Sequence, residues 1–470
     1  MSTDKQQQQG QEKNSEQPIE FYEKRKKIYA RRAHGTFARL RIIAAVVLLG
    51  IFYVTPWLMY DGHQAVLLDL PARMFHIFGI TFFPQDAFYL ALLLIIAAYL
   101  LFFVTALAGR LWCGYACPQT VWTEAFMWIE YWIEGDRPQQ IKLDKAPWTT
   151  QKWIKKGSKH FLWILLALWT GFTFTGYFTP IRQLGTDLLT FNASGWATFW
   201  VFFYALATWG LGAMMREQVC IYMCPYARFQ SAMFDRDTLI ISYDAKRGEP
   251  RGKRKKGVDP RELGLGDCVD CSLCVQVCPT GIDIRDGLQY QCIACAACID
   301  ACDPVMEKMG YPKGLIRYTT ENELEGKKTH IFRLRTFIYA AVLVALIGGL
   351  FYSVASRIPL ELDVMRDRNT LYRENGEGML ENVYVLKVVN MDTKKHDFTI
   401  SVSGLEGIEL LGKDNTFPVD SGEVLTKVVQ VQVDPANVPE ASNDIMFHIE
   451  SLNDPNLKDE QKSRFLGPRR

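Results

Sequence analysis

Histidine is scarce in this chain, with seven in 470 residues, and none stands in the middle of an apolar run. His34 sits in a basic arm, His63 and His76 between the first two apolar runs, and His160 and His330 at run edges. A membrane haem b draws its axial histidines from helix interiors, so that class is excluded. Cys-x-x-Cys-His is absent, which removes covalently attached haem. Neither Gly-x-Gly-x-x-Gly nor a phosphate loop ending in Lys-Ser or Lys-Thr occurs, so nicotinamide, flavin and nucleotide sites lack support. No cysteine precedes Cys113 or follows Cys302. The net charge is only +2, and no nucleic acid is expected as a partner.

Charge is also missing locally. Five stretches are almost free of it: Ile42–Tyr60, Ala87–Gly109, Phe161–Pro180, Gly195–Met215 and Thr336–Ser356. Each is about 20 residues, the length a helix needs to cross the hydrocarbon core. The first starts too far into the chain and runs too long for a cleaved signal sequence, so it reads as a span. Lys and Arg alternate between the flanks: eight in Phe21–Arg41, one in Asp61–Asp86, eight in Arg110–His160, one in Ile181–Ser194. The positive-inside rule then places the N-terminus in the cytoplasm and, after five crossings, the C-terminus outside. All twelve cysteines fall on the reducing side, where thiols serve as ligands or redox groups rather than disulfides.

The expected fold is therefore a polytopic α-helical membrane protein with five spans, a cytoplasmic two-cluster ferredoxin module and a C-terminal all-β sandwich. Residues 1–41 form a polar, Gln-rich and then basic cytoplasmic arm, disordered at its start. Residues 42–215 form a four-span domain, 216–335 the ferredoxin-like module, 336–356 the fifth span and 357–470 the sandwich. Val66–Pro84 is apolar but broken by Asp69 and Pro71, and reads as interfacial or re-entrant. Lys246–Gly257, dense in like charge, reads as a mobile solvated loop, with docking of an acidic electron donor as the sharper alternative. In the last segment "VYVLKVVNM", "DFTISVSG", "VLTKVVQVQVD" and "NDIMFHIES" alternate like strands of an antiparallel sandwich. His396 and His448 read as ordinary strand residues.

The chemistry lies in two runs. Cys268, Cys271, Cys274 and Cys278 follow Cys-x2-Cys-x2-Cys-x3-Cys, and Cys292, Cys295, Cys298 and Cys302 repeat it. This is bacterial ferredoxin spacing. Three close thiolates wrap three corners of a cubane, and the fourth ligand arrives from the other run. Cys268, Cys271, Cys274 and Cys302 are thus expected to hold one [4Fe–4S] cluster, and Cys292, Cys295, Cys298 and Cys278 the other. Zinc, the competitor, pairs two knuckles across a longer spacer and fits this pattern poorly.

A second repeat is Cys-x-Tyr-x-Cys-Pro, at Cys113–Pro118 and Cys220–Pro225, each just past an apolar run and after an arginine, Arg110 or Arg216. Cys113, Cys117, Cys220 and Cys224 are the candidate catalytic thiols. They stand as ligands of a metal or another iron–sulfur centre, as a dithiol redox relay, or as inert buried thiols.

Five spans, two Cys-x3-Cys-Pro motifs, a two-cluster insert and an exported β-sandwich, in that order, resemble the cytochrome c oxidase accessory proteins of the CcoG/FixG/RdxA type over residues 20–470. The resemblance implies an oxidoreductase of the bacterial inner membrane that reduces Cu(II) to Cu(I) for assembly of a cbb3-type oxidase. It implies the eight ferredoxin cysteines as cluster ligands and the other four as the membrane-side redox or metal site. It implies an immunoglobulin-like sandwich that docks copper chaperones or the oxidase. A cytoplasmic electron donor, the lipid bilayer and a second copy of the chain complete the expected partners. The alternatives are a quinol-linked electron-transfer subunit and a redox-sensing assembly scaffold. Anaerobically prepared protein is expected to contain iron and acid-labile sulfide in equal amounts; stoichiometric zinc with negligible sulfide would end the cluster reading.

Overall fold

A computed structural model describes residues 27–60, 62–367, 370–412 and 415–468. The Gln-rich start of the chain and Lys24–Lys26 lie outside the described residues.

Among the described residues four helices are long and apolar enough to cross a membrane: Thr36–Trp57, Pro84–Ala108, Gly195–Met215 and Leu334–Ala355. Their large apolar side chains, Leu93, Leu94, Phe202 and Phe351 among them, face outward. Such a surface suits hydrocarbon rather than water. The remaining expected run, Phe161–Pro180, falls in the second half of a 26-residue helix, Thr150–Thr175. That helix is not among the four, and Lys152, Lys155, Lys156 and Lys159 occupy its first half. Two of these lysines are ion-paired. Lys159 pairs with Glu134 at 2.8 Å and Glu130 at 3.4 Å, and Lys156 with Glu134 at 2.9 Å and Asp144 at 2.6 Å. Both glutamates lie on the Pro118–Glu134 helix, so the network clamps two helices together. Gly171 completes the packing. A Cβ there would stand 2.2 Å from the carbonyl oxygen of Val201, so only glycine lets the Thr150–Thr175 and Gly195–Thr208 helices approach this closely.

At one end of the helices lies the cysteine-rich module. Arg333, just ahead of the last apolar helix, pairs with Asp235 and donates to the Ala106 carbonyl at 3.0 Å. The backbone of Leu239 bonds Leu107 at 3.1 Å. Asp300 reaches the first helix, accepting from the backbone of Phe37 at 3.2 Å and Ala38 at 2.6 Å. Gly35, the N-cap, has no side chain with which to cap, and Asp300 supplies the missing carboxylate. The stretch expected to be mobile, Lys246–Gly257, is tied down here. Arg247 pairs with Asp267 at 2.6 Å, and Arg254 donates to Tyr311 at 2.9 Å and stacks over its ring.

At the other end Val66–Pro84, expected to be interfacial or re-entrant, is folded as a small sheet. Its strands Val66–Asp69, Met74–Ile77 and Ile80–Phe82 form a three-stranded antiparallel sheet. Asp69 accepts from the backbone of Ala72 at 2.9 Å and sets the turn around Pro71. Met74 and Phe83 pack on Val389 and Met391 of the C-terminal domain. That domain is a β-sandwich. One sheet runs Glu409–Leu411, Val424–Val433, Leu380–Asn390, Leu360–Arg366; the other Thr416–Val419, His396–Ser403, Ser442–Ser451, Lys458–Leu466. Tyr384, Phe398, Phe447 and Phe465 are wholly buried between them.

Asp300→Ala is expected to cost about 1–2 kcal/mol, the worth of a lost N-cap. In detergent this appears as a lowered thermal midpoint, which Asp300→Asn largely restores.

Candidate iron–sulfur site

The two cysteine runs fold into two neighbouring cages. One cavity, with an empty volume of about 350 Å³, is bordered by Cys268, Cys271, Cys274 and Cys302. The other, about 340 Å³, is bordered by Cys278, Cys292, Cys295 and Cys298, with Cys274 on its rim. The partition is crossed: the last cysteine of each run stands with the first three of the other. Among the described residues no three His, Cys, Asp or Glu groups converge as a single bound ion requires. Zinc would need four to converge, whereas a cubane holds its thiolates on a wider frame.

The loops carry matching backbone. Asp270 and Ala294, each two residues past the first cysteine of its run, have φ of 49° and 53°. Ser272 and Ala296, four past it, have φ of 57° and 59°. Left-handed backbone costs a residue with a Cβ about 1–2 kcal/mol. It also turns successive N–H groups inward, the concavity found at phosphate and iron–sulfur sites. The backbone N–H groups of Ala294, Ala297 and Val275 duly point at the sulfurs of Cys292, Cys295 and Cys274. Ile241, Ile284, Ile299, Met306 and Ile316 pack around the cages and cover them except at Cys271, which is exposed. Burial, then the neighbouring thiols of Cys274 and Cys271, push the Cys302 thiol up to about 12. Burial likewise pushes Cys292 up to about 12 and Cys298 well above the usual thiol range. A dry cage of soft, mutually repelling sulfurs calls for a polynuclear cation, and the residues fit [4Fe–4S] clusters.

The structure brings the other four cysteines together. Cys113 lies in the short helix Leu111–Tyr115, and Cys117 caps Pro118–Glu134. Cys220 lies in the wide π-helical turns of Val219–Met223, and Cys224 caps Pro225–Ser231. Cys113 is an electrostatic neighbour of Cys117, Cys220 and Cys224. Burial, then Cys117, pushes its thiol up to about 12; burial, then Cys117 and Cys224, pushes Cys220 up to about 11. The internal repeat is real but shifted by one residue from the arginine alignment. Gly109 (φ 54°, ψ −116°) and Arg216 (φ 45°, ψ −112°) end their helices in the same conformation, each four residues ahead of a first cysteine. Arg216 bears a left-handed backbone without being glycine. Its pairing with Glu130 at 2.8 Å and its bond to the Ala213 carbonyl at 2.9 Å hold it there.

The first motif is pressed against the second cage. A Cβ on Gly114 would lie 2.7 Å from the Ile293 carbonyl oxygen and 3.0 Å from Cys295 Cα. Cys113 packs in one apolar cluster with Ile293, Cys295 and Val277. Tyr115 meets the Tyr318 hydroxyl at 3.4 Å, and Tyr318 donates to the Ala294 carbonyl at 2.8 Å. Sequence reasoning missed Arg110 as a site residue. It is 5 % exposed and donates to the carbonyls of Tyr290 and Ala227, with that of Cys292 at 3.4 Å. Arg41 was missed too; it donates to the Cys295 carbonyl. Nothing local marks either, since their carbonyl partners lie from 117 to 254 residues away, though Arg110 stands three residues before a motif. Gly114→Ala is expected to separate the motif from the cage at a cost of about 1–3 kcal/mol. A lowered thermal midpoint, together with an altered electron paramagnetic resonance signal from one cluster only, would report it.

Three family models match the chain. One described as a 4Fe-4S dicluster domain covers residues 215–321, and one described as a 4Fe-4S binding domain covers 90–137. A third, an IG-like fold at the C-terminal of FixG, whose description names an oxidoreductase, covers 350–468. Protein RdxB of Cereibacter sphaeroides is 44% identical over 401 residues, 82% of this chain and 84% of its own length. Nitrogen fixation protein FixG of Rhizobium meliloti is 39% identical over 422 residues, 82% of this chain and 80% of its own. The crystal structure of a FixG-related protein from Vibrio parahaemolyticus, 32% identical, covers 23% of this chain and 95% of that one with a TM-score of 0.21. With identity of this order sustained over four-fifths of its length, the chain belongs to the FixG/RdxA/RdxB family of iron–sulfur electron-transfer proteins.

Proposed function

We propose that this protein is a membrane-bound reductase that converts Cu(II) to Cu(I) for the assembly of a cbb3-type cytochrome c oxidase. Cys268, Cys271, Cys274 and Cys302 are the ligands of one [4Fe–4S] cluster, and Cys292, Cys295, Cys298 and Cys278 those of the second. The bound pair supplies one-electron carriage from a donor at the cytoplasmic face. The chain's own part is to hold the cages side by side, keep water out, and butt the second cage against Cys113. That last contact, with Gly114 packed on the Ile293–Cys295 loop, is the observation that carries the reading. It makes the four Cys-x3-Cys-Pro thiols the electron exit. Each Cu(II) takes one electron there and leaves as Cu(I), the state that sulfur-rich surroundings favour.

The Lys and Arg asymmetry supports five spans, with the ferredoxin module and N-terminus inside and the sandwich outside. The sandwich would then meet copper chaperones or the oxidase, an interaction a bare electron wire does not need. A second reading, exchange with a membrane quinol, is favoured by one feature. An open cleft lies beside Cys220 and Cys295, lined by Ile42, Trp128 and Arg41.

Chemically reduced protein mixed anaerobically with Cu(II) is expected to reoxidise its clusters and yield Cu(I) in step with them. Cys113→Ser/Cys117→Ser is expected to slow this by about tenfold or more, a barrier of about 1.4 kcal/mol. Clusters that stay reduced in Cu(II) but reoxidise with a water-soluble quinone would transfer the assignment to the second reading.

A further inference from the structure

The eight ferredoxin cysteines are accounted for by two cages. The four remaining thiols are an unassigned sulfur cluster of the same kind, built by a second internal repeat. They come from two copies of one motif whose leading helices end in the same backbone conformation. Their second cysteines each precede a proline that starts a helix. Backbone N–H groups of Gln119 and Thr120, at the start of the Pro118–Glu134 helix, point at the sulfur of Cys117. The cages show the same N–H to sulfur arrangement. Gln230, wholly buried, fixes the site from the second motif. Its amide donates to the Gly109 carbonyl at 2.8 Å, and its oxygen faces the Cys113 sulfur at 3.6 Å.

One observation chooses among ligands. The family model described as a 4Fe-4S binding domain covers residues 90–137, where Cys113 and Cys117 are the sole cysteines. Two thiols cannot complete a cubane. The structure brings Cys220 and Cys224 beside them as the other two. Arg110 lies buried between this sulfur cluster and the Cys292 carbonyl, a cation set between two thiolate-rich sites.

We propose that Cys113, Cys117, Cys220 and Cys224 together hold a third [4Fe–4S] cluster, next to the second ferredoxin cage. The proposal rests on the reading of these thiols as the electron exit and deepens it: the resident group at the exit is iron–sulfur, and copper is a passing acceptor. Loading releases four thiol protons as four iron–thiolate bonds form.

The test is metal content, which does not depend on activity. Full-length protein, made in cells supplied with iron-57 and purified anaerobically, is assayed for iron, acid-labile sulfide and copper. At four iron atoms per cubane, about twelve iron and twelve sulfide per chain are expected, all giving cubane Mössbauer parameters. Cys113→Ser/Cys220→Ser is expected to hold about eight, with the spectra of the ferredoxin pair retained. About eight iron atoms in the unaltered protein, with or without bound copper, would overturn the proposal, as would about ten, the count for a two-iron centre. The count also stands apart from the copper reading. Twelve irons with no Cu(II) reduction removes the reductase and keeps the third cluster; eight irons with rapid reduction does the reverse.

Discussion

A glycine that cannot carry a methyl group sets the geometry of this protein. Gly114 lies against the carbonyls of Ile293 and Ala294, and any side chain would force the first Cys-x3-Cys-Pro motif away from the cage loop. Because the contact is backbone on backbone, it has no flexible side chain to absorb error, and packed interiors transmit displacement rather than damp it. Everything between the sulfur groups follows from it. Cys113 falls into the apolar cluster around Cys295, Arg110 is driven under the loop with only carbonyls for partners, and Tyr115 reaches Tyr318. A protein that only needed a tethered ferredoxin would have no use for so close a fit.

The same end of the molecule uses charge in two ways. Lysines and arginines near a membrane surface are usually read as topological signals. Here Lys156, Lys159 and Arg216 are also structural, each paired with Glu130 or Glu134. Burying a charge is costly unless its partner is in place, so these residues form a network rather than isolated pairs. The network anchors the Pro118–Glu134 helix, and that helix begins at Cys117. Asp300 does comparable work from the opposite direction, leaving the cage helix to cap the first apolar helix. The cysteine module is thus bonded to helix ends at several corners, which restricts how far the cages can move relative to the four thiols.

How much of this was readable in the residues depended on range. The crossed cages were legible because ferredoxin ligands sit within a few residues of one another and the loop geometry is local. Four sandwich strands were legible from alternation. Lys458–Leu466 was not, because "KDEQKSRFL" is an edge strand with Phe465 as its one fully buried residue. The strands of Val66–Pro84 were not legible because its apolar residues pack on a domain some 300 residues away. The lysine-rich half of Thr150–Thr175 looked like a loop before a span, since its carboxylate partners lie on another helix. The repeat was visible in its cysteines and prolines, yet the obvious anchor, an arginine before each motif, was the wrong one. Backbone conformation aligns Gly109, not Arg110, with Arg216.

That misalignment explains why the two motifs differ. Gly109 carries its left-handed backbone at little cost. Arg216 carries the same backbone with a side chain, and its ion pair with Glu130 supplies the compensation. At the next equivalent pair, Gly114 corresponds to Ile221: the first copy faces the cage and must be small. Tyr115 is engaged with the cage while Tyr222 is exposed. Cys113 therefore lies on the side that faces the cage, whereas the second motif presents Tyr222 and Met223 outward.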